Sequence, residues 1–159
     1  MKHVNQKTEI KDGEKYCGAA TVAMLTEEIP QDVADVLGHT TPDDKLTSYL
    51  ENFGFTILKK PIASGGDKKS GWAFTPKKSD FDAMRKALDE GFFILYHFAG
   101  WDGKSSGHYA LCYGHNTDGF VFNDPAGNRV KGYFGDGEEV VYSEKQLTAA
   151  GMKALWGVK

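Results

Sequence analysis

Polar and apolar positions change rhythm several times along the chain, and each rhythm predicts a different element. The first sixteen residues are polar and contain an Asp12-Gly13 turn signal, so they predict an extended arm or loop. From Cys17 the pattern becomes apolar on most of a helical circumference, through Ala19, Ala20, Val22, Ala23, Met24 and Leu25. That predicts a buried, small-residue helix over 17–28, closed by Pro30. A second helix is expected over 31–37, ending at Gly38. A third is expected over 42–53, where Leu46, Tyr49, Leu50 and Phe53 share one face and Gly54 stops it. Residues 55–58 predict a short strand, and the Gly-, Lys- and Ser-rich stretch 63–71 an insertion loop.

Beyond residue 79 the pattern divides again. Ser79 or Asp80 caps a helix reaching Glu90, with Phe81, Met84, Ala87 and Leu88 on one face and Gly91 after it. The near-continuous apolar run 92–98 suits a central strand. Further strands are expected over 108–113, 119–123 and 130–134, with an edge strand over 140–142, a last helix over 143–150 and an apolar tail at 155–158. Helices precede sheet, which predicts an α+β architecture in a single domain spanning 1–159.

Composition narrows the reading. A chain of 159 residues with 40% hydrophobic content can fill one core and not two. Its formal charge of −3 and scattered lysine pairs at 59–60, 68–69 and 77–78 lack the basic stripe of a nucleic-acid binder, so no nucleic-acid partner is expected. The polar N-terminus has no apolar run behind it, and no stretch approaches membrane-spanning length. The expectation is a monomer that does not insert in a membrane and is cytoplasmic as synthesised, reaching a cell wall only if another system releases it.

The chemistry begins with the two cysteines. Cys17 stands in Tyr-Cys-Gly-Ala-Ala at the start of the buried helix, whereas Cys112 lies in a strand-like alternation and reads as a small buried hydrophobe. A helix N-terminus stabilises a thiolate through free N–H groups and the helix dipole, and Gly18 would allow substrate to approach. A structural cysteine at a helix start is the competing explanation. The balance tips with His108, which follows Gly107 and opens a strand, and with Asn123-Asp124, which closes the next one. Antiparallel neighbours would bring His108 and either Asp124 or Asn123 to the same end of the sheet. Such a partner fixes the imidazole tautomer and stabilises its charged form. A metal trio of His108, Cys112 and His115 fails on strand alternation, because His115 points to the other face. No metal or cofactor is therefore expected.

Together, Cys17-Gly18-Ala19-Ala20, Gly107-His108-Tyr109 and Asn123-Asp124-Pro125-Ala126-Gly127 resemble the papain-like cysteine peptidases related to the bacteriocin-processing, double-glycine-leader peptidases. The resemblance covers nearly the whole chain. It implies a papain-like fold, with a helical half that carries the Cys helix packed on an antiparallel sheet. It also implies Cys17 as nucleophile, His108 as base and Asp124 as the orienting carboxylate. A Gln upstream of the Cys supplies an oxyanion donor in this family. Gln6 is the only Gln before Cys17, farther upstream than is usual, so residues 7–16 would bulge out as a loop, with Asn5 the fallback donor. Trp72, Trp101, Gly18 and Gly107 are expected to contact substrate.

The expected activity is hydrolysis of a peptide or amide bond through a thiol acyl-enzyme. A free-standing domain of this size resembles a peptidoglycan-cleaving endopeptidase or amidase, of the phage-lysin or antibacterial-effector kind. Leader-peptide processing, an acyl transferase on the same fold (phytochelatin-type synthases resemble it) and a non-catalytic binding module are the alternatives.

Overall fold

The computed structural model describes residues 1–58, 62–64, 75–99, 107–130 and 137–159. Its centre is a six-stranded, wholly antiparallel sheet in the order β1-β6-β2-β3-β4-β5. The strands are β1 (Ala63–Ser64), β2 (Phe93–Phe98), β3 (His108–Asn116), β4 (Gly119–Asn123), β5 (Val140–Tyr142) and β6 (Met152–Val158). Four helices, α1 (Gln6–Glu9), α2 (Cys17–Thr26), α3 (Pro30–Leu37) and α4 (Asp43–Phe53), precede the sheet, while α5 (Lys78–Asp89) and α6 (Glu144–Ala150) interrupt the strand order.

Two cores lie on opposite faces of the sheet. On one face α2, α3 and α4 bury Ala19, Val22, Val33, Leu46 and Leu50 against Leu95, Tyr109 and Leu111. On the other, Phe81 and Met84 of α5 and Leu147 and Ala150 of α6 cover Ile94, Tyr96, Phe98, Phe120 and Phe122. The helical half packed on a sheet is thus present, with a further helical layer behind it. β2 needs no polar face because both faces are covered, which is why 92–98 reads as one apolar run.

Several local expectations shift for identifiable reasons. The N-terminal arm is not wholly extended: the Asn5 side chain accepts N–H bonds from Lys7 and Thr8 and caps α1, and a 3-10 turn over Gly13–Lys15 follows. Pro30 opens α3 at its first turn, where its missing N–H costs nothing. It does not close α2, which ends at a left-handed Glu27 whose N–H reaches Ala23 O. Residues 55–58 supply only an isolated bridge, Ile57 to Val158. Ala63–Ser64 pairs with β6 where the insertion loop is expected to begin, and the rest of that stretch, 65–71, lies outside the described residues. The strand expected at 130–134 also lies outside them, apart from Val130, which sits in a turn. The apolar tail is longer than 155–158 and inserts between β1 and β2.

The sheet sets the site. β3 starts where β4 ends, because the two run antiparallel with Leu111 opposite Asn123. His108 at the head of β3 therefore faces the residue that follows β4, Asp124. Truncation of the fully buried Phe122 to Ala should cost about 3–5 kcal/mol in urea unfolding. Val141→Ala, on the more exposed edge strand, should cost less than about 1 kcal/mol, and equal losses would contradict this core assignment.

Candidate active site

Cys17 is the first residue of α2. The first main-chain bond of that helix runs from Ala20 N–H to Tyr16 O at 2.9 Å, which leaves the N–H groups of residues 17–19 outside the helical ladder. The N–H groups of Gly18 and Tyr109, and the His108 imidazole from across the helix–sheet junction, act on the Cys17 sulfur in the sense that favours its thiolate. Helix start, β3 and the loop after β4 thus meet at one point.

His108 is nearly buried, and its Nε2 lies 2.7 Å from Asp124 Oδ1. That leaves Nδ1 as the nitrogen toward Cys17. Asp124 is fully buried and its oxygens are well supplied: Oδ1 also accepts the Ala126 N–H at 2.9 Å, and Oδ2 accepts the Tyr142 hydroxyl at 2.8 Å. The neighbouring Asn123 is excluded as the orienting group. Its Oδ1 accepts the Glu139 N–H at 3.0 Å and its Nδ2 lies 3.7 Å from the Met1 sulfur.

Electrostatics follow from this wiring. Burial is the largest single influence on Cys17 and pushes its thiol up. The hydrogen bond and positive charge of His108, with the Tyr109 and Gly18 N–H groups, outweigh it, so the net shift is down. Burial pulls His108 down, but the Asp124 charge and hydrogen bond, joined by Cys17, raise it to about 9. Asp124 is held below the ordinary carboxylate value despite its burial, by the His108 charge and hydrogen bond, the Ala126 N–H and Arg129. The arrangement favours thiolate beside imidazolium. Cys112 is the opposite case: it is fully buried in the sheet, and burial pushes its thiol up. Both cysteines are free thiols.

Gln6, Cys17, His97, Gly107, His108 and Ala126 line a common cleft of about 500 Å³. Gln6 is placed there differently from expectation. Its main-chain N–H donates to Pro125 O at 2.9 Å, and its Nε2 donates to both Gly13 O and Glu14 O at 2.9 Å. Both carboxamide hydrogens therefore brace the 3-10 turn, and no free one remains for an oxyanion. Asn5 is no substitute: its Oδ1 caps α1, and it does not line the cleft. Gly18 also departs from expectation: an added Cβ would lie 3.1 Å from Leu46 and 3.4 Å from Tyr109, so it serves close packing of α2 on α4 and β3 and does not line the cleft. Gly107 does line it, and a Cβ there would sit 2.6 Å from His97 Nε2. Trp72 and Trp101 lie outside the described residues.

Sequence reasoning missed a second polar cluster. Asp43, in the first turn of α4, binds His97 Nδ1 at 2.8 Å through Oδ1, and the Tyr109 hydroxyl donates to the same oxygen. The His97 and Tyr109 rings stack with centroids 4.1 Å apart. Burial works against the Asp43 charge, yet His97 and Tyr109 hold its carboxyl below the usual value. The cluster ties α4 to β2 and to the residue whose N–H meets the Cys17 sulfur. Only the pairing of His97 with Tyr109 across β2 and β3 brings these residues together, and no local motif announces it.

Residues 1–144 match the Peptidase_C39 like family. The chain belongs to that family. It is a papain-like cysteine peptidase. The same fold recurs in the peptidase domain of Streptococcus ComA, a bi-functional ABC transporter involved in a quorum-sensing pathway. That match has a TM-score of 0.61 and 14% identity, over 99% of this chain and 96% of that one. The peptidase domain of Streptococcus mutans ComA matches with TM-score 0.56 and 14% identity, over 100% and 99% of the two chains. A double glycine motif protease from an AMS/PCAT transporter, in complex with the leader peptide, matches with TM-score 0.56 and 10% identity, over 99% and 93%. No curated protein matches the chain.

In this peptidase the two thiols should separate cleanly under iodoacetamide. Cys17 is expected to alkylate in the folded protein with a midpoint below the ordinary thiol value of 9.0, while Cys112 stays unmodified until the chain unfolds. Peptide mapping that finds Cys112 labelled first would overturn the assignment of the reactive thiol.

Proposed function

We propose that this chain is a leader-type peptidase that cuts a peptide bond through a thioester on Cys17. The observation that carries the reading is the line Cys17, His108, Asp124 across the cleft, with the thiol lowered and the imidazole raised. The Cys17 thiolate attacks the scissile carbonyl, and the oxyanion that forms accepts the free N–H of Cys17 itself. Gln6 can join only by giving up one of its two carbonyl partners. His108 Nδ1–H protonates the departing amine, leaving a thioester on Cys17. His108 then takes a proton from water, hydroxide adds to the thioester, and the acid product leaves as the thiolate returns. Asp124 keeps the Nε2–H oriented throughout.

The substrate class rests on likeness. A structural relative of the same fold is a double glycine motif protease crystallised with its leader peptide, which supports a precursor peptide carrying a glycine pair before the cut. No feature of the cleft favours peptidoglycan, so the wall-cleaving expectation yields to the leader-peptide alternative.

Cys17→Ala should lower cleavage of Gly-Gly-containing precursor peptides by at least about 10³-fold, with an unchanged circular-dichroism spectrum. Mass spectrometry of the products locates the cut, and retained turnover in that variant would refute the thiol route. The pH profile tests the pairing. kcat/KM should rise as the Cys17 thiolate forms, below the ordinary thiol range, and fall as His108 loses its proton near about 9. Asp124→Ala removes the charge that raises His108, so the alkaline limb should move to lower pH; an unmoved limb would assign it to another group.

A further inference from the structure

The cleft carries a cation that neither the fold nor the reaction accounts for. In the pairing of β2 with β6, His97 sits opposite Ala154 and Phe98 opposite Met152. Two residues of β2 thus face three of β6, and the extra one is Lys153, left out of the ladder by a β-bulge. Bulges re-aim side chains and cluster beside active sites. Lys153 is half-buried and lines the same cleft as Cys17, His97 and His108. Lysines on strands often serve to guard an exposed sheet edge, but β6 lies between β1 and β2 in the sheet order, and Lys153 is turned into the cleft.

Among the described residues no carboxylate pairs with Lys153. Lys15, two residues before Cys17, also lines the cleft, and no carboxylate among the described residues pairs with it. Among the described residues one acid lines the cleft and two more stand beside it already engaged. Glu14 lines the cleft and is exposed, Asp43 is engaged by His97 and Tyr109, and Asp124 by His108 and Tyr142. On a chain of net charge −3, this cleft therefore concentrates positive charge.

We propose that Lys153, presented by the bulge in β6, forms with Lys15 a subsite for a carboxylate of the peptide substrate. The carboxylate is an acidic side chain close to the cut bond or the free C-terminus of the peptide. This subsite rests on the leader-peptide reading and adds a charge requirement to it.

The test uses the full chain and short Gly-Gly peptides in which each flanking position in turn carries Glu or Gln, each made with a free and an amidated C-terminus. At low salt at least one Glu peptide, or the free-acid series, should show kcat/KM about fivefold above its neutral counterpart. The advantage should shrink as salt is raised. Which series gains tells side chain from C-terminus. Lys153→Gln should bring the acid-to-neutral ratio toward one, while Lys153→Arg should retain it. Equal cleavage of acidic and neutral peptides by the natural chain, or selectivity that survives Lys153→Gln, overturns the subsite. Should Lys153→Gln fail to fold, the salt dependence of the natural chain and the Lys153→Arg ratio decide alone. If no peptide of any charge is cut while Cys17 still alkylates, the leader-peptide reading falls, and the subsite with it.

Discussion

Asp124 is a carboxylate with no exposure to water, and such a charge persists in a protein interior only where partners replace its hydration. Here His108, the Ala126 N–H and the Tyr142 hydroxyl do so, and Arg129 adds a favourable charge. They come from three segments, β3, the turn after β4 and β5. The Asp124 main chain is held as firmly: its N–H donates to Gly137 O at 2.7 Å, and its carbonyl oxygen lies 2.7 Å from His3 Nε2 and accepts the Gly127 N–H at 3.1 Å. The N-terminal arm, the turn after β4 and the segment leading into β5 are thereby bound to one residue. Removing its carboxylate alone would leave those main-chain bonds in place and take from His108 the charge that keeps it protonated.

The thiol comes from the opposite layer. Cys17 belongs to the helical half, His108 and Asp124 to the sheet half, and the chemistry exists only while the two remain in register. Small residues make that register possible. Gly18 and the alanines after it let α2 lie against α4 and β3, which brings the Cys17 sulfur under the influence of His108 and the Tyr109 N–H. The Asp43, His97 and Tyr109 cluster braces the junction from the cleft side, with Asp43 near the positive end of α4. On the other side Gln6 links the arm to Pro125 and to the turn before Cys17. A side chain expected to act on substrate thus also serves as a structural tie, and these two duties compete for the same pair of hydrogens.

Much of this was legible along the chain. The apolar circumference of 17–28, the one-sided pattern of 42–53 and 79–90 and the central run 92–98 all report local burial, and burial leaves a periodic trace. Cys17, His108 and Asp124 were legible for a related reason, since each sits at an element boundary that its neighbours mark. β6 was not. It alternates poorly because both faces are covered and a bulge interrupts it at Lys153, so its period is erased where it matters.

The sequence by itself marked out Cys17, His108 and Asp124 and the elements that carry them, because helix starts, strand ends and turns are set by residues a few positions apart. Tertiary structure alone decided which polar groups are already engaged. Gln6 and Asn123 carry amides suited to the site, yet both are committed to main-chain partners in the fold. His97 and Asp43, distant in sequence, become one unit because β2 pairs with β3 beneath the start of α4. Hydrogen-bond capacity belongs to the residue, but its availability depends on what the rest of the chain brings within three ångströms.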